Sequence, residues 1–400
     1  MKKVLIINTT FDQGGAATVA QDLFFSENNE YQFYFAYGRG KKNNLSRVFY
    51  FGNWLETLFH VFLVRFFGLE GVGNYFSTRK LVNFIKREKF DLVHLHNLHG
   101  YYLNFSYLIK FLAKEKIKVI WTIHDEWALT WLPAHSMGCE HCQTLEGKCK
   151  NKYSYPKNYW PILAKYNLQR KKKILSLDWN PIIISPAEWL TQNIKKSFLN
   201  KFEVRTITNG VDTNLFQPTD NKTALRTKYN LPTDKKIVLF NIGDVKDKNK
   251  GMKYIIGLIK NLDKTDYLFL GVGGGVILAG ENVKSIGYIK DKKILSHYLA
   301  LSDILCFTSL VETMPLTVLE ALSTGLPIIA FDILALRGLI NEKVGRLVSI
   351  DNRQLAENML HLLNNEEILI DKGINAREHV LANYTKEKFL FSYFKLYNEL

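Results

Sequence analysis

The chain has 400 residues, of which 47% are hydrophobic, and it carries a formal net charge of +15 at pH 7. This length predicts two domains, and the apolar content is enough to give each domain a core. The positive charge favours an anionic partner, which can be a nucleic acid, an acidic membrane surface or a phosphorylated ligand. Four cysteines are too few for a disulfide scaffold in so long a chain, so the expected compartment is the reducing cytoplasm.

The first residues, MKKVLIINTT, contain an apolar stretch that reaches only from Val4 to Ile7. This stretch is too short for the core of a secretory signal, and we interpret it as a first β-strand. Elsewhere no apolar run approaches the ~20 residues that a membrane-spanning helix needs. The sequence therefore predicts no transmembrane segment.

Short β-rich runs alternate with helical patterns along the whole chain. In the first half the predicted strands are Val4–Asn8, Gln32–Tyr37, Asp91–Leu95, Val119–Ile123 and Ile182–Ser185. In the second half they are IVLFNI, YLFLGV, ILCFTS and PIIAF. Each βαβ series predicts a parallel sheet with helices on both faces. The predicted fold class is α/β, with two Rossmann-like doubly wound domains facing an interdomain cleft that holds the ligands.

The polar segment 212–234 separates the two series and is predicted to be a linker. It divides the chain into an N-terminal domain of residues 1–211 and a C-terminal domain of residues 235–378. Residues 379–400 are predicted to form a C-terminal helix that packs back on the N-terminal domain.

Residues 48–69, VFYFGNWLETLFHVFLVRFFGL, are apolar except for one narrow polar stripe. Asn53, Glu56, Thr57 and His60 have helical spacing, which predicts a helix. Such a helix is either buried in the core or lies on a membrane surface. Basic clusters such as RKLVNFIKREK, KFLAKEKIK and QRKKKIL are concentrated in the same half of the chain, and they favour contact with an anionic leaflet.

A strand, a loop and a helix start follow one another in residues 301–332, LSDILCFTSLVETMPLTVLEALSTGLPIIAFD. Pro315 suits the first turn of the predicted helix, Glu320 lies in its second turn, and Gly325 ends it. The backbone N–H groups of residues 313–317 and the positive end of the helix dipole then form a site that suits a phosphate.

Glu312 and Glu320 form an E-x7-E frame followed by EALSTGLPIIAF, which resembles the signature of retaining, family 4 type glycosyltransferases with the GT-B fold. Further stretches resemble a bacterial subgroup of this family that builds exopolysaccharide and other surface glycans, akin to the colanic acid glycosyltransferases. These stretches are DLVHLHNLHGYYLN, VIWTIHDEWALT, ISPAEWL, TNGVDTNLFQP, DVKDKNKG and NYTKEKFLFSYFKLYNEL. With the glycine loop at Gly14, the resemblance extends over nearly the whole chain.

The resemblance implies an N-terminal acceptor-binding domain and a C-terminal domain that binds a nucleotide sugar. It implies catalytic roles for Glu312, His124 and Lys250. The implied donor-binding residues are Glu320, Gly15, Lys246, Thr313, Met314, Pro315, Leu316 and Thr317. The implied acceptor-binding residues are Gly14, His96, Asn97, His99 and Tyr101.

The leaving diphosphate requires stabilisation by positive charge. The sequence has no D-x-D metal motif, so the protein itself must supply cations and dipoles, and neither a metal nor a cofactor is expected. Lys250 matches the diphosphate lysine of the family, but the companion arginine is replaced by Asp244. This departure puts the usual Arg/Lys pair in doubt, and Lys246 is the nearest substitute.

Two clusters suggest a metal site. His94, His96 and His99 lack a nearby carboxylate or cysteine in good register, so we interpret them as lining the cleft and contacting the acceptor. Cys139, Cys142 and Cys149 either hold a structural zinc ion or are thiols in a lid over the acceptor site. The glycine-rich stretch FLGVGGGVILAG does not fit a dinucleotide-binding fingerprint, because no helical pattern and no acidic ribose partner follow it.

These observations predict a retaining glycosyltransferase of the hexosyltransferase type in bacterial surface polysaccharide synthesis. It would use a UDP- or GDP-linked sugar and a glycan or lipid-linked acceptor. The expected location is the cytoplasm, with peripheral binding to the inner face of the cytoplasmic membrane as a further hypothesis. The alternatives are a nucleotide-sugar epimerase on the same fold and a non-catalytic nucleic-acid-binding protein. No nucleic-acid partner is expected, because no recognition helix, aromatic RNP motif or zinc finger is found.

Overall fold

The computed structural model describes residues 1–136, 139, 141–145, 155–241, 248–262, 266–274 and 280–400. The chain folds into two compact units. The first contains Met1–Thr208 and Ser392–Leu400, and the second contains Asn209–Phe391. Residues 212–234, predicted as a linker, therefore belong to the second unit.

A parallel sheet of seven strands forms the centre of the first unit. The strands are β1 (Lys2–Thr10), β2 (Tyr31–Arg39), β3 (Val48–Tyr50), β4 (Leu92–Leu95), β5 (Lys118–Thr122), β6 (Ile182–Ser185) and β7 (Val204–Thr206). Their order is β3-β2-β1-β4-β5-β6-β7, so the direction of winding reverses between β1 and β4. Ligands of doubly wound sheets bind at the carboxyl ends of the strands beside such a reversal.

The helices of the first unit connect these strands. They are α1 (Gly15–Phe24), α2 (Trp54–Phe67), α3 (Tyr75–Glu88), α4 (Phe105–Lys114), α5 (His141–Thr144), α6 (Ala164–Leu175) and α7 (Glu188–Lys196). The largest apolar cluster joins Leu5 and Val93 in the sheet to Leu81 of α3 and Leu108 of α4. Val4–Ile7 of β1 are fully buried, as expected for a central strand with both faces covered.

The second unit is built around a parallel sheet of six strands. These are β8 (Lys236–Asn241), β9 (Tyr267–Val272), β10 (Val283–Gly287), β11 (Ile304–Phe307), β12 (Ile328–Phe331) and β13 (Gly345–Val348), in the order β10-β9-β8-β11-β12-β13. Its helices are α8 (Lys222–Lys228), α9 (Met252–Asn261), α10 (Lys292–Ala300), α11 (Leu316–Ser323), α12 (Asn352–Leu363) and α13 (Glu366–Asn383). A last helix, α14 (Lys386–Asn398), begins in the second unit, and its final residues belong to the first.

The inner face of helix α2 carries the half-buried Glu56 and the buried His60 and Val64, and most of its large apolar side chains are exposed. Glu56 accepts hydrogen bonds from the N–H groups of Phe76 (2.8 Å) and Ser77 (2.9 Å) at the start of α3. His60 is fully buried, and its Nδ1 lies 2.6 Å from the side-chain oxygen of Asn74. The exposed large side chains of α2 are Trp54, Leu55, Leu58, Phe59, Phe62 and Phe67. Of the two alternatives for this helix, burial in the core does not hold, because one face is exposed and the inner face uses Glu56 and His60 to bond neighbouring backbone and amide groups.

No helix in the described part of the chain is long and apolar enough to span a membrane.

Candidate active site

The E-x7-E motif occupies the turn between β11 and α11 in the second unit. Helix α11 begins at Leu316, so Pro315 precedes the first turn and does not lie within it as predicted. Proline also has no N–H group, so it cannot contribute to a phosphate site as a donor. The first-turn N–H groups of Leu316 and Thr317 have no partner within the helix and mark its positive end.

Glu312 lies in the turn four residues before this helix start, and its carboxylate is held by two side chains. Its Oε1 accepts a hydrogen bond from Lys250 Nζ at 2.7 Å and another from Ser309 Oγ at 2.8 Å. The Glu312 side chain is 18% exposed and that of Lys250 is 40% exposed. The structure therefore pairs two of the three predicted catalytic residues, and solvent still reaches the lysine.

Close backbone contact explains why Lys250 reaches Glu312. Gly251 follows it with φ +68°, and a Cβ atom added there would lie 1.9 Å from the carbonyl oxygen of Thr308. Only glycine allows this approach of the lysine loop to the end of β11. The N–H of Leu310 then donates to the carbonyl of Asn249 at 2.7 Å, which joins the two loops.

Glu320 also forms an ion pair, which sequence reasoning missed. Its Oε1 accepts a hydrogen bond from Lys292 Nζ at 2.5 Å, and the Glu320 side chain is almost fully buried. Lys292 is the first residue of α10, after the cap Asp291. The sequence does not indicate this pairing, because the two residues lie on different helices and come together only in the folded unit.

Asn209 is a second residue that the sequence analysis did not select. Its backbone N–H donates to Met314 Sδ at 3.1 Å, and its side-chain amide donates to the Met314 carbonyl at 3.0 Å. The strand-loop TNGVDTNLFQP, which contains it, was part of the family resemblance, so this residue could have been found.

In the first unit, Gly14 is the cap of α1 and Gly15 its first residue, shortly after β1 and near the reversal of the sheet. Gly14 has φ +86°, and an added Cβ atom at either glycine would meet no atom within 4 Å. The space at these two glycines would let a ligand approach the backbone closely, and their role in binding stays a prediction.

His96 and His124 follow the neighbouring strands β4 and β5 and contact each other. His96 Nδ1 lies 2.9 Å from His124 Nε2, while His96 Nε2 has no partner among the described residues. Burial lowers the pKa of His124 to about 4 and that of His96 well below its usual value. Both rings are therefore neutral at pH 7, and His124 can contact a sugar as a hydrogen-bonding group without a positive charge.

His99 is paired with Asp125, which corrects the expectation that these histidines lack a nearby carboxylate. His99 Nε2 lies 2.7 Å from Asp125 Oδ2. Burial opposes charge on either group, but their mutual attraction outweighs it, so the pKa of His99 is raised and that of Asp125 falls to about 2. Asp125 stands next to His124 in TIHDEW, so the sequence could have indicated it.

Asn97 and Tyr101 belong to the same loop after β4. The carbonyl of Asn97 accepts a hydrogen bond from Tyr102 Oη at 2.6 Å. The N–H groups of Gly100 and Tyr101 donate to the buried carboxylate of Glu70 at 3.0 and 3.2 Å. The side chain of Glu70 therefore fixes this loop. The sequence does not indicate this role, because Glu70 lies about 30 residues before the loop.

Among the described residues, no group of three His, Cys, Asp or Glu side chains is arranged to hold a metal ion. Cys142 lies in an apolar cluster with Trp131 and Tyr101. Cys149 lies outside the described residues, so both interpretations of the cysteines stay predictions. Asp244 and Lys246 also lie outside them.

The neutral histidines predict that the first unit loses stability in mild acid. His94 is fully buried, and its pKa is lowered to about 3 by burial and by His124. Below about pH 6.5 the histidines of the unfolded chain bind protons, whereas His94, His96 and His124 stay unprotonated in the folded state. The free energy of unfolding therefore falls as pH falls. Each histidine contributes a slope of up to about 1.4 kcal/mol per pH unit, down to its folded pKa. The raised pKa of His99 acts in the opposite direction, with stability lost as pH rises through it.

Urea unfolding followed by tryptophan fluorescence measures this slope, because all 7 tryptophans belong to the first unit. We expect the His94→Gln variant to have a flatter pH dependence than the wild type between about pH 6.5 and about pH 4.5, by about 1.4 kcal/mol per unit. Equal slopes for the two proteins would contradict a neutral His94.

Two family models match the chain, and together they cover more than half of it. Residues 32–215 match the model described as Glycosyltransferase Family 4, and residues 236–365 match Glycosyl transferases group 1. The chain is 28% identical over 366 residues to the putative colanic acid biosynthesis glycosyl transferase WcaC of Escherichia coli K12, covering 86% of this chain and 87% of the relative. It is 29% identical over 210 residues to an Escherichia coli UDP-Gal:alpha-D-GlcNAc-diphosphoundecaprenol alpha-1,3-galactosyltransferase, covering 48% of this chain and 53% of the relative.

Solved structures share the fold over the full length of the chain. Sucrose-phosphate synthase from Thermosynechococcus elongatus has a TM-score of 0.73 at 17% identity, covering 100% of this chain and 99% of that one. HepE from Anabaena, in complex with UDP-glucose, has a TM-score of 0.68 at 14% identity, covering 100% of both chains. These matches confirm the predicted α/β fold of the GT-B type and give no support to the epimerase or the nucleic-acid-binding alternative. The chain belongs to the glycosyltransferases, with a family 4 domain followed by a group 1 domain.

Proposed function

We propose that this glycosyltransferase moves a sugar, with retention of configuration, from a nucleotide diphosphate sugar to a lipid-linked or saccharide acceptor in bacterial surface polysaccharide synthesis. The observation that carries the proposal is the Glu312–Lys250 pair, 2.7 Å apart, with Glu312 in the turn that leads into α11. The names of the colanic acid and diphosphoundecaprenol relatives support the acceptor class.

The second unit is assigned to the donor. In the reaction, the bond between the sugar C1 and the diphosphate oxygen breaks, a bond forms from C1 to the acceptor oxygen, and the proton of the acceptor hydroxyl passes to the leaving diphosphate. Negative charge grows on the leaving diphosphate, where Lys250 and the N-terminus of α11 can stabilise it. The partly exposed Lys250 can turn from Glu312 to the diphosphate, which leaves the carboxylate to meet the sugar. The paired Lys292 and Glu320 are assigned to the nucleotide, and the complex of HepE with UDP-glucose supports a UDP donor.

The first unit is assigned to the acceptor. His96 Nε2 and His99 Nδ1 are buried ring nitrogens without a partner among the described residues, and an acceptor hydroxyl that reached them would supply the missing hydrogen bond. His124 faces the same end of the sheet and is proposed to contact the donor sugar, and Gly14 supplies accessible backbone. The formal charge of +15 supports work at the anionic inner face of the cytoplasmic membrane, where a lipid-linked acceptor would be met.

A thermal-shift panel of nucleotide sugars in excess EDTA tests both the donor class and independence from metal. We expect one UDP- or GDP-sugar to raise the melting temperature, because a ligand at a hundred times its Kd stabilises by about 2.7 kcal/mol. Transfer of that sugar should continue in EDTA, and NMR of the product should show the anomeric configuration of the donor. Complete loss of transfer that Mg²⁺ restores would overturn metal independence, and an inverted product would overturn retention.

A further inference from the structure

The exposed face of α2 continues into the segment before α6. Phe66 joins them, since its ring centroid lies 4.8 Å from that of Phe62 and 5.4 Å from that of Trp160. We define the apolar surface as eight exposed side chains from α2, the start of α3 and this segment: Trp54, Leu55, Leu58, Phe59, Phe62, Phe76, Trp160 and Ile162. We propose that this apolar surface inserts into a lipid bilayer and holds the enzyme there mainly through apolar contact.

The size and composition of the surface require a partner. Monomeric soluble proteins rarely expose so many large apolar groups together. Leucine and phenylalanine side chains dominate α2, whereas Tyr75, Tyr159 and Tyr166 are exposed around it. Aromatic side chains with one polar end are typical of the boundary between lipid tails and headgroups.

The charges around the surface suit an anionic leaflet. Residues 51–87 contain only two acidic residues, Glu56 and Glu70, and both accept hydrogen bonds from backbone groups inside the unit. Residues 155–177 contain none. The exposed cations nearby are Arg65, Arg79, Lys80, Lys157 and Lys165. Lysine and arginine at the margin of an inserted surface pair with lipid phosphates.

The same charges disfavour a second copy of this chain as the partner. A symmetric dimer through the apolar surface would bring the basic margins of both copies together, and residues 51–87 and 155–177 offer no exposed acidic side chain to pair with them. A bilayer with anionic lipid satisfies both the apolar surface and its basic margin.

The inner face of α2 connects the apolar surface to the acceptor loop. His60 Nε2 accepts a hydrogen bond from the N–H of Gly71 at 2.9 Å, and the neighbouring Glu70 holds Gly100 and Tyr101. Insertion of α2 would therefore place the loop that carries Asn97, His99 and Tyr101 close to the leaflet. This functional consequence rests on the proposed lipid-linked acceptor, whereas bilayer insertion itself does not.

Sedimentation of the full chain with vesicles tests the inference. The vesicles contain phosphatidylcholine and phosphatidylglycerol, and the assay is run at about 0.1 M and about 1 M salt. Because salt screens charge but leaves apolar contact intact, we expect binding to persist at the higher concentration. The Phe59→Gln/Phe62→Gln variant should lose at least about tenfold in vesicle partitioning, since two aromatic groups that would enter the bilayer are removed.

The matched control is Phe391→Gln, which replaces a phenylalanine of the second unit that is more exposed than Phe59 or Phe62, and it should bind like the wild type. Glutamine suits a helix, and unchanged circular dichroism verifies that α2 is intact. A second readout is the blue shift of tryptophan emission on binding, which Trp54→Phe should reduce without preventing sedimentation.

Several results would overturn bilayer insertion. In the first, the wild type is released from vesicles at high salt. In the second, the double variant sediments with vesicles as well as the wild type does. In the third, the wild type binds no vesicles and is a dimer, whereas the double variant is a monomer. The proposed glycosyl transfer is tested separately with a water-soluble acceptor, on which the double variant should keep wild-type turnover. If neither the wild type nor the double variant transfers sugar to this acceptor, the result counts against the proposed function and not against bilayer insertion.

Discussion

Replacement of Glu312 by glutamine is expected to lower kcat by about a thousandfold while the fold stays intact. Glutamine keeps the shape of the side chain and an oxygen that can accept from Ser309, but it removes the negative charge that faces Lys250. In our proposal this carboxylate meets the donor sugar, where positive charge develops as the bond to the diphosphate breaks. Initial rates with a saturating nucleotide sugar measure the effect.

The unfolding free energy should change by no more than about 1 kcal/mol, because the ion pair is partly open to solvent. Glu357→Gln is the control, since Glu357 forms an exposed ion pair with Arg353 at a similar distance of 2.7 Å. The control should retain wild-type turnover. Turnover of Glu312→Gln within about threefold of the wild type would contradict the assignment.

Replacement of Lys250 by alanine is expected to reduce kcat by about a hundredfold or more, which is the usual loss when one preorganised charge-stabilising group is removed. The physical reason is that Lys250 provides a point charge at the leaving diphosphate. Lys250→Arg should restore part of the rate because it keeps the charge. The double variant with Glu312→Gln should lose less than the two separate losses multiplied, because the residues act as a pair.

Lys248→Ala is the matched control, because Lys248 lies in the same short 3-10 turn but is exposed. It should be nearly silent in kcat/KM. Equal and mild effects at both lysines would mean a diffuse basic loop with no specific contact to the diphosphate.

The central strands of both sheets could be predicted from the sequence, whereas the edge strands could not. Strands such as β1 and β11 are covered on both faces and therefore form continuous apolar runs. The four strands that were missed, β3, β7, β10 and β13, all lie at sheet edges. Their side chains are mostly half-buried, so no apolar run marks them.

The residues of the candidate site also fall into those that the local sequence indicates and those that it does not. Glu312 lies in the turn between β11 and α11, Glu320 lies within α11, and His124 follows β5, so spacing along the chain indicates their place. The partners Lys292 and Glu70 come close only after strands from distant parts of the chain have paired, so local pattern carries no information about them.

The orientation of α2 determines which of its positions the fold constrains. In most surface helices the outward positions accept almost any residue, whereas the inward positions demand apolar groups. In α2 the fold depends on Glu56 and His60, and it gains little from Leu58 or Phe59. The folded state alone therefore places no demand on the outward apolar residues. Selection for binding through this surface would keep these residues apolar. A related protein that no longer binds there would lose them by drift and keep the same fold.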